Sequence, residues 1–389
     1  MTAGNGTRGM KIPWIETPLI KSASLSELVG CNVLLKLENV QPSGSFKSRG
    51  IGNFIVERLA AARAAAGDDP TLVAHFYSSS AGNAGLACVH AAVTLGCLAT
   101  VVVPMSTTPF MIAKLRQAGA SDVIQRGASW QEANAYLTET VMEDARRKGE
   151  AAVYVPPFDA PEIWDGHAHI SRELARQIRG VTRHYPIATA AASRPSGNGG
   201  HEVHVTANGL NGGGHSATNG GEPVIDKIDA VVCSVGGGGL FCGIMQGLDE
   251  TGMSATRVVA VETKGADALS QSLAAGQLVT LPAITSLATS LGARRVCDKA
   301  FEYARRETVS TAVLSDAEAI RACRRFADEE HILVELACGV CPAVCYNGML
   351  RRLVPGLTRE SVVVVVVCGG SNISFDIMEK YAASHLDGS

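Results

Sequence analysis

Short apolar runs, mostly of β-branched residues, alternate along the chain with longer segments in which apolar residues recur at helical spacing. The predicted strands cover residues 33–37, 72–77, 99–103, 122–124, 230–234, 258–262 and 362–367. The predicted helices cover residues 51–66, 84–95 and 111–118. Because successive strand positions are apolar, helices should cover both faces of each sheet. This alternation predicts an α/β fold with two mostly parallel sheets.

Residues 191–222 interrupt the pattern, with nine glycines, four asparagines and almost no large apolar side chain. Such a composition cannot bury enough surface to offset the entropy lost on ordering. We therefore predict a flexible surface insertion.

Length and charge narrow the classes of function. The 389 residues, 46% of them hydrophobic, are enough for two domains with sizeable cores. With 34 basic and 37 acidic residues, the net charge of −3 argues against a basic surface for nucleic acid or for a membrane. The longest aliphatic run, residues 362–367, is far shorter than the ~20 residues that span a bilayer.

The cysteines and the N-terminus indicate a compartment. Eleven scattered cysteines do not form the pattern of a secreted disulfide scaffold, and residues 1–11 lack the apolar core of a signal peptide. We expect reduced thiols and a cytoplasmic location. A weak organellar signal is the alternative, because this stretch carries Arg8 and Lys11 and no acid.

The first candidate site is Ser-Gly-Ser-Phe-Lys-Ser-Arg-Gly at residues 43–50, between a strand and a long helix. Lys47 should lie in the first turn of that helix, where the helix dipole disfavours a second positive charge and lowers the pKa of the amine. Such a lysine suits Schiff-base formation and proton abstraction. Taken alone, the motif is also compatible with an ordinary exposed lysine.

The second site is Ser-Ser-Ser-Ala-Gly-Asn-Ala-Gly at residues 78–85, directly after a predicted strand. Small residues at a helix N-terminus leave backbone N–H groups free to bind an anion such as a carboxylate. Asn83 adds an amide that can donate and accept. A capped helix without a ligand explains this motif equally well.

The third site is the run of four glycines at 236–239, which can approach and hold a phosphate group. A dinucleotide site is the competing interpretation. The spacing G-x-G-x-x-G is not met, because Phe241 and Cys242 occupy the required glycine position. Glu262 is also too distant to serve as the usual acidic ribose partner. A nucleotide site is therefore the weaker hypothesis.

The fourth site, Cys-Gly-Gly-Ser-Asn at residues 368–372, follows the last predicted strand. Ligands of open α/β sheets bind at the carboxyl ends of strands. Cys368 could offer a weak, neutral hydrogen bond to a ligand there. A buried structural thiol is the alternative.

Several other clusters imitate metal sites. The three histidines of the insertion are His201, His204 and His215. A solvated linker is favoured over a metal-binding tract there.

A second cluster consists of Cys338, Cys341 and Cys345. One face of a predicted helix over residues 334–351 would carry them, which favours core packing over an iron–sulfur cluster. A third consists of Asp165, His167 and His169, whose two histidines would diverge on a helix.

Taken in order, these four motifs closely resemble those of the L-serine/L-threonine dehydratases, which are pyridoxal-phosphate-dependent enzymes of fold type II. Further matching stretches lie at residues 17–19, 155–159, 163–167 and 332–335. The resemblance covers nearly the whole chain apart from the insertion. It implies two open, twisted, mostly parallel sheets wrapped by helices, with the cofactor in a cleft between two domains. The implied domains are residues 5–48 with 156–389, which contain the insertion at 189–223, and residues 49–155.

The resemblance also implies roles for individual residues. Lys47 would be the Schiff-base lysine and general base, Asn83 the partner of the cofactor's phenolic oxygen, and Cys368 that of its pyridine nitrogen. The implied catalytic residues are Lys47 and Ser80. The implied cofactor contacts are Phe46, Lys47, Asn83, Gly236, Gly237, Gly238, Gly239, Leu240, Ser290 and Cys368. The substrate carboxylate would contact Ser80, Ala81, Gly82, Asn83 and Ala84. A monovalent cation, K⁺ or Na⁺, would be held by Gly236, Glu262, Ala266, Leu291 and Ala293.

The implied activity is β-elimination of L-serine to pyruvate and ammonia, with conversion of L-threonine to 2-oxobutanoate as a second activity, in a homodimer. Three positions depart from the family pattern: Ser290 replaces an alanine, Asp165 a glutamate and Leu336 a proline. Ser290 leaves the balance between serine and threonine open. The alternatives are a serine racemase or threonine deaminase of the same fold, a non-catalytic cofactor-binding protein, and an iron–sulfur serine dehydratase.

Overall fold

Strands and helices alternate along the part of the chain that the structure describes. This computed structural model covers residues 7, 9–185, 225 and 227–386. The strands are β1 (Leu19–Lys21), β2 (Asn32–Leu37), β3 (His75–Ser78), β4 (Leu98–Val103), β5 (Asp122–Gln125), β6 (Ala152–Tyr154), β7 (Ala230–Ser234), β8 (Arg257–Thr263), β9 (Val309–Leu314) and β10 (Val362–Val367). The helices are α1 (Ala23–Val29), α2 (Lys47–Ala65), α3 (Asn83–Thr94), α4 (Pro109–Gln117), α5 (Trp130–Tyr136), α6 (Met142–Arg147), α7 (Pro161–Gln177), α8 (Gly239–Glu250), α9 (Ala268–Ala275), α10 (Asp298–Ala304), α11 (Asp316–Glu330), α12 (Leu336–Tyr346), α13 (Leu350–Leu353) and α14 (Phe375–His385).

The strands form two sheets, as the sequence pattern predicts. The larger sheet has the order β1-β2-β10-β7-β8-β9, and only the β1–β2 pair in it is antiparallel. The smaller sheet has the order β5-β4-β3-β6 and is wholly parallel. The all-valine β10 lies inside the larger sheet, where Val363 pairs with Val33 of β2 and Ala230 of β7. Both faces of β10 are buried, as expected for a continuous apolar run. The predicted fold class is confirmed.

The topology places the candidate motifs at carboxyl ends of strands. The loop after β2 leads into α2, the loop after β3 into α3, the loop after β7 into α8, and the loop after β10 into α14. Because β2, β7 and β10 are parallel, three of these loops leave the larger sheet at the same edge.

Helix α7 is packed closely against α2 and α8 through glycines. A Cβ atom on Gly166 of α7 would lie 2.5 Å from the carbonyl oxygen of Arg49 in α2. A Cβ atom on Gly243 of α8 would lie 2.3 Å from the Cβ atom of His167. The absence of side chains at these glycines therefore lets the helices approach.

A buried ion-pair network fastens the first turn of α2 to the larger sheet and to α7. The Nε atom of Arg49 lies 2.7 Å from Oε2 of Glu38, and its Nη1 atom lies 2.5 Å from Oε1 of Glu173. The Nζ atom of Lys36 lies 2.5 Å from Oε2 of Glu173. All four residues are almost completely buried.

Some predicted boundaries were wrong. The strand predicted over 72–77 begins only at His75, because β6 and β4 provide pairing partners from that residue onward. The helix predicted over 334–351 ends at Tyr346, where Gly348 adopts a left-handed φ of +72° before α13 begins. The insertion predicted at 189–223 lies outside the described residues. Among the described helices, none combines the length and the apolar character that a bilayer-spanning segment requires.

Candidate active site

Lys47 is the first residue of α2 and is half-buried. Its ammonium group donates a hydrogen bond to the carbonyl oxygen of Pro157. Burial lowers the pKa of the amine to about 8, while electrostatic interactions with Cys368 and Glu335 oppose the shift. The direction agrees with the sequence prediction, but burial is the largest cause, whereas the sequence indicated only the helix dipole.

The loops after β2 and β10 are joined by backbone hydrogen bonds. The N–H group of Phe46 donates to the carbonyl oxygen of Cys368 at 3.1 Å, and that of Gly370 donates to the carbonyl oxygen of Gly44 at 2.9 Å. Gly44 has a φ of +80°, which favours glycine at this turn. The first and fourth motifs are therefore adjacent.

Asn83 begins α3 and connects the second motif to the fourth. Its Oδ1 atom accepts a hydrogen bond from the N–H group of Ser371 at 2.9 Å. Its Nδ2 atom donates to Oε1 of Glu335 at 2.7 Å and lies 3.4 Å from Oγ of Ser290. Ser290 is exposed, and its Oγ atom also accepts from Nδ2 of Asn372 at 3.2 Å.

Glu335 is a site residue to which the sequence reasoning gave no role. Burial raises the pKa of its carboxyl group to about 7, while hydrogen bonds from Ser290, Asn372 and Asn83 oppose that shift. The available signal was a single acid placed directly before an otherwise apolar helix, α12. Sequence spacing could not show that this acid meets Asn83, which lies 252 residues earlier.

The substrate-carboxylate loop predicted at residues 80–84 turns tightly into α3. The N–H group of Gly82 donates to Oγ of Ser80 at 3.3 Å. A Cβ atom on Gly85 would lie only 1.9 Å from the carbonyl oxygen of Ser80, so the turn requires a glycine there. Ser80, Ala81 and Gly82 are half-buried, whereas Asn83 and Ala84 are buried.

The predicted phosphate loop precedes α8, which begins at Gly239. Gly238 has a left-handed φ of +97°, and a Cβ atom there would lie 2.4 Å from that of Ala300. A Cβ atom on Gly237 would lie 2.4 Å from the ring of Phe158. Gly236 lies against Leu291, and Leu240 is buried in the first turn of α8.

Cys368 is buried at the end of β10. Its Sγ atom lies 3.6 Å from Oγ of Ser234. Hydrogen bonding with Cys338, followed by burial, raises the pKa of the thiol well above its ordinary value. The side chain is therefore a neutral thiol at neutral pH.

Helix N-termini at these motifs share a property. The helices α2, α3 and α8 have no side-chain hydrogen bond at their N-caps. The helices α6, α7, α9, α10, α12 and α13 lack such a bond as well, whereas serine or threonine side chains cap α1, α4, α5, α11 and α14. Uncapped N–H groups and a helix dipole together attract an anion. The three helix starts therefore leave N–H groups that an anion could bind, and their glycine-rich or small-residue loops distinguish them from the other uncapped helices.

Two of the residues proposed for a cation, Glu262 and Leu291, use their oxygens in hydrogen bonds within the protein. The carboxylate of Glu262 accepts hydrogen bonds from the N–H groups of Leu269 and Ser270, each at 2.8 Å, and thus caps α9. The Oγ atom of Ser270 donates to the same carboxylate at 2.6 Å. The carbonyl oxygen of Leu291 accepts from the N–H group of Ala293 at 2.7 Å. Ala266 is buried and donates its N–H group to the carbonyl oxygen of Thr263.

The other clusters singled out from the sequence are structural in the described residues. All eleven cysteines are buried and have free thiols, including the three on α12. His167 packs against the ring of Phe46 at 4.9 Å between centroids, and Asp165 pairs with Arg172 at 2.5 Å. Within residues 9–185 and 227–386, no group of three or more His, Cys, Asp or Glu side chains is arranged to hold a metal ion. His201, His204 and His215 lie outside these ranges.

Several known proteins resemble this chain in sequence and in fold. The model of the family described as "Pyridoxal-phosphate dependent enzyme" matches residues 12–201 and 188–369. The bovine (Bos taurus) protein named "L-serine dehydratase/L-threonine deaminase" is 38% identical over 363 residues, with 92% of each chain covered. The Saccharomyces cerevisiae protein named "Catabolic L-serine/threonine dehydratase" is 33% identical over 374 residues, covering 95% of this chain and 91% of that one.

Solved structures agree with these relatives. An L-serine ammonia-lyase from Rhizomucor miehei superimposes with a TM-score of 0.75 at 30% identity, covering 97% of this chain and all of that one. Maize serine racemase, at 22% identity and a TM-score of 0.67, shows the likeness of fold alone. This chain therefore belongs to the family of pyridoxal-phosphate-dependent enzymes and has their fold of type II, as its resemblance to the serine and threonine dehydratases predicts.

Proposed function

We propose that the protein is a carbon–nitrogen lyase that converts L-serine to pyruvate and ammonia, with conversion of L-threonine to 2-oxobutanoate as a second activity. The observation that carries the proposal is the convergence of Lys47, Asn83 and Cys368 beside three uncapped helix N-termini. The names and the 33–38% identity of the relatives cited above support the same reaction.

The side chains at the site suit pyridoxal phosphate. Lys47 offers an amine that is easily uncharged, and the glycine loop at the start of α8 offers free N–H groups to a phosphate. Asn83 would donate to the phenolic oxygen, Cys368 would face the pyridine nitrogen, and Phe46 would pack on the ring. When bound, the cofactor supplies an electron sink for negative charge at the substrate's α-carbon.

The protein's own residues would perform the proton transfer and the binding of the substrate. The N-terminus of α3, over residues 80–84, binds the substrate carboxylate through backbone N–H groups. The uncharged amine of Lys47 accepts the α-proton. The α-proton and the β-hydroxyl leave together as one molecule of water, and hydrolysis of the released enamine gives the oxo acid and ammonia. Cys368 remains a neutral thiol, so it does not hold a proton on the ring nitrogen as a carboxylate would.

A monovalent cation, K⁺ or Na⁺, is a further part of this proposal. The contact between Gly236 and the carbonyl group of Leu291 supports a site, with Ala266 and Ala293 as further carbonyl ligands. The Oε1 atom of Glu262 accepts one hydrogen bond and retains room for another partner. Measuring activity in potassium, sodium and choline salts tests the site. Equal activity in all three salts, for the native chain and for Glu262→Gln alike, would contradict it.

The proposal also includes the cellular compartment, the domain boundaries and the oligomeric state of the protein. The free thiols of all eleven buried cysteines support a reducing, cytoplasmic compartment. Separate apolar cores around the two sheets support domains at residues 5–48 with 156–389 and at 49–155. The homodimer is proposed by analogy with the family, and sedimentation analysis tests it.

The direct test is pyruvate production from L-serine by purified protein loaded with pyridoxal phosphate. Lys47→Ala should abolish turnover, together with the borohydride-sensitive absorption band of the attached cofactor. Lys148→Ala, which changes an exposed lysine, is the matched control and should behave as the native chain does.

Undiminished turnover by Lys47→Ala would reject the assignment. Chiral analysis of the remaining serine separates elimination from racemisation, for which Ser80 would have to act as a second base. Faster formation of D-serine than of pyruvate would favour the racemase.

A further inference from the structure

The side chain of Glu335 contacts the loop after β10 and the start of α3. It precedes α12 but makes no side-chain capping bond there, and only 5% of the residue is exposed. Its carboxyl group lies against Gly370, where an added Cβ atom would be 2.0 Å from Cδ of Glu335. Gly370 also has a φ of +133°, which a residue with a side chain rarely adopts. The loop after β10 thus makes room for this carboxyl group.

Two neighbours determine the orientation of the Asn83 amide. The backbone N–H group of Ser371 can only donate, so it must face Oδ1, and it does so at 2.9 Å. The carboxylate of Glu335, when ionised, can only accept, so it must face Nδ2, and its Oε1 atom lies 2.7 Å from that atom. Rotating the amide by half a turn would bring two donors together and two acceptors together.

The second hydrogen of Nδ2 remains for another acceptor. The nearest described acceptor is Oγ of Ser290 at 3.4 Å, which is long for a hydrogen bond. An incoming acceptor atom at a normal distance would replace it without disturbing the bonds to Glu335 and Ser371.

The charges around Glu335 favour its role as an acceptor. Lys47 at the start of α2 and Lys114 of α4 both interact electrostatically with its carboxylate. The Nζ atom of Lys114 also donates to the carbonyl oxygen of Ser371 at 2.8 Å, and the N–H group of Asn372 lies 3.3 Å from Oε2 of Glu335. The carboxylate is therefore held from the loop after β10 as well as from Asn83.

We propose that Glu335 is a positioning residue that fixes the Asn83 amide so that its free N–H group donates to the phenolic oxygen of pyridoxal phosphate. The inference rests on the proposed function only in assuming that the cofactor binds beside Asn83. It assigns Glu335 no contact with the substrate.

The experiment measures the visible and near-ultraviolet absorption of the bound cofactor at fixed pH, because their ratio reports whether the phenolic oxygen is ionised. Asn83→Ala and Glu335→Ala should each lower the visible fraction by about tenfold, since each removes a hydrogen bond to a charged oxygen. The double variant should change little further, because both substitutions remove the same bond. Glu335→Gln retains an acceptor and should stay within about twofold of the native ratio.

Glu330→Gln is the matched control, because this carboxylate contacts Ser22 and Ser24 instead of Asn83. Multiplying effects in the double variant would overturn the inference, and so would an unchanged ratio in Glu335→Ala. If Glu335→Ala does not fold, a ratio in Glu335→Gln as low as that in Asn83→Ala overturns it equally. Failure of the native chain to bind the cofactor, or a loaded chain that leaves serine unchanged, would instead refute the proposed function.

Discussion

At the residue scale, the chemistry of the site depends on how the protein surrounds a few polar groups. Lys47 is half-buried, the thiol of Cys368 is buried beside Cys338, and the carboxyl group of Glu335 is buried beside Asn83. In each case burial favours the uncharged form. These groups lie in one site because three strand ends and the start of α3 meet there.

The lowered pKa of Lys47 predicts how attachment of the cofactor to the apo-protein depends on pH. The uncharged amine is the nucleophile, and its fraction grows as pH rises toward the pKa of about 8. The attachment rate should therefore rise about tenfold per unit below pH 7 and level off above pH 8. Stopped-flow absorption measures it. A rate that continues to rise to pH 10 would show an ordinary lysine.

Cys368 offers a second prediction at this scale. Cys368→Ser keeps a neutral hydrogen-bonding group and should keep kcat/KM for L-serine within about threefold. Cys368→Ala removes that group and should lower kcat/KM by about fivefold, the effect of one ordinary hydrogen bond. Steady-state kinetics of the two variants decide the matter. Equal values for Cys368→Ala and the native chain would mean that the thiol makes no contact of consequence.

At the element scale, buried ion pairs hold α2, the helix that carries Lys47, against its neighbouring elements. Arg49 lies two residues further along α2 and contacts Glu38 after β2 and Glu173 of α7. Breaking a buried ion pair leaves a charge without compensation, which costs far more than the pair contributes. The network therefore couples the position of α2 to two other elements.

Arg49→Met tests this coupling. It leaves Glu38 and Glu173 buried without their main partner, and should lower the free energy of unfolding by ~3–5 kcal/mol. Arg58→Met is the control, because the pair of Arg58 with Glu162 is largely exposed and should contribute less than ~1 kcal/mol. Urea unfolding of both variants gives the comparison. Equal losses of unfolding free energy in the two variants would show that the buried ion pairs of Arg49 matter no more to stability than the exposed pair of Arg58.

Sequence patterns predicted some elements better than others for a physical reason. Strands such as β7 and β10 are apolar at every position because both of their faces are covered. The edge strands β1, β6 and β9 have half-buried positions and carry a weaker signal, so they were not predicted. The loop motifs predicted the candidate site for a different reason, because local geometry requires glycines and small residues in these loops.

At the scale of the whole molecule, contacts between distant parts of the chain complete the site, and these are what the sequence could not predict. The bond between Asn83 and Glu335 joins the start of α3 to the start of α12. No periodicity or spacing connects residues so far apart. The motifs therefore identified the family and predicted the candidate site residues, whereas the contact between Glu335 and Asn83 was visible only in the structure.

Glu335 also affects the stability of the apo-protein. Its pKa is raised to about 7 in the folded chain from an ordinary value near 4.5, so the unfolded chain ionises first as pH rises. This group's contribution is fully present below about pH 4.5 and is lost as pH rises through 7. Between pH 5 and pH 7, the unfolding free energy of the native chain should therefore fall by ~2–3 kcal/mol more than that of Glu335→Gln. If the unfolding free energies of the two proteins changed equally with pH, the prediction would be wrong.

The uncapped starts of α2, α3 and α8, which lie at the motifs, have a practical consequence for measurements of activity. Inorganic sulfate and phosphate resemble the phosphate group proposed for the start of α8, and they share the negative charge of the carboxylate proposed for the start of α3. Such buffer ions would occupy the same positions and raise the apparent KM. Kinetic work on this chain is therefore best begun in buffers whose anions are bulky or absent.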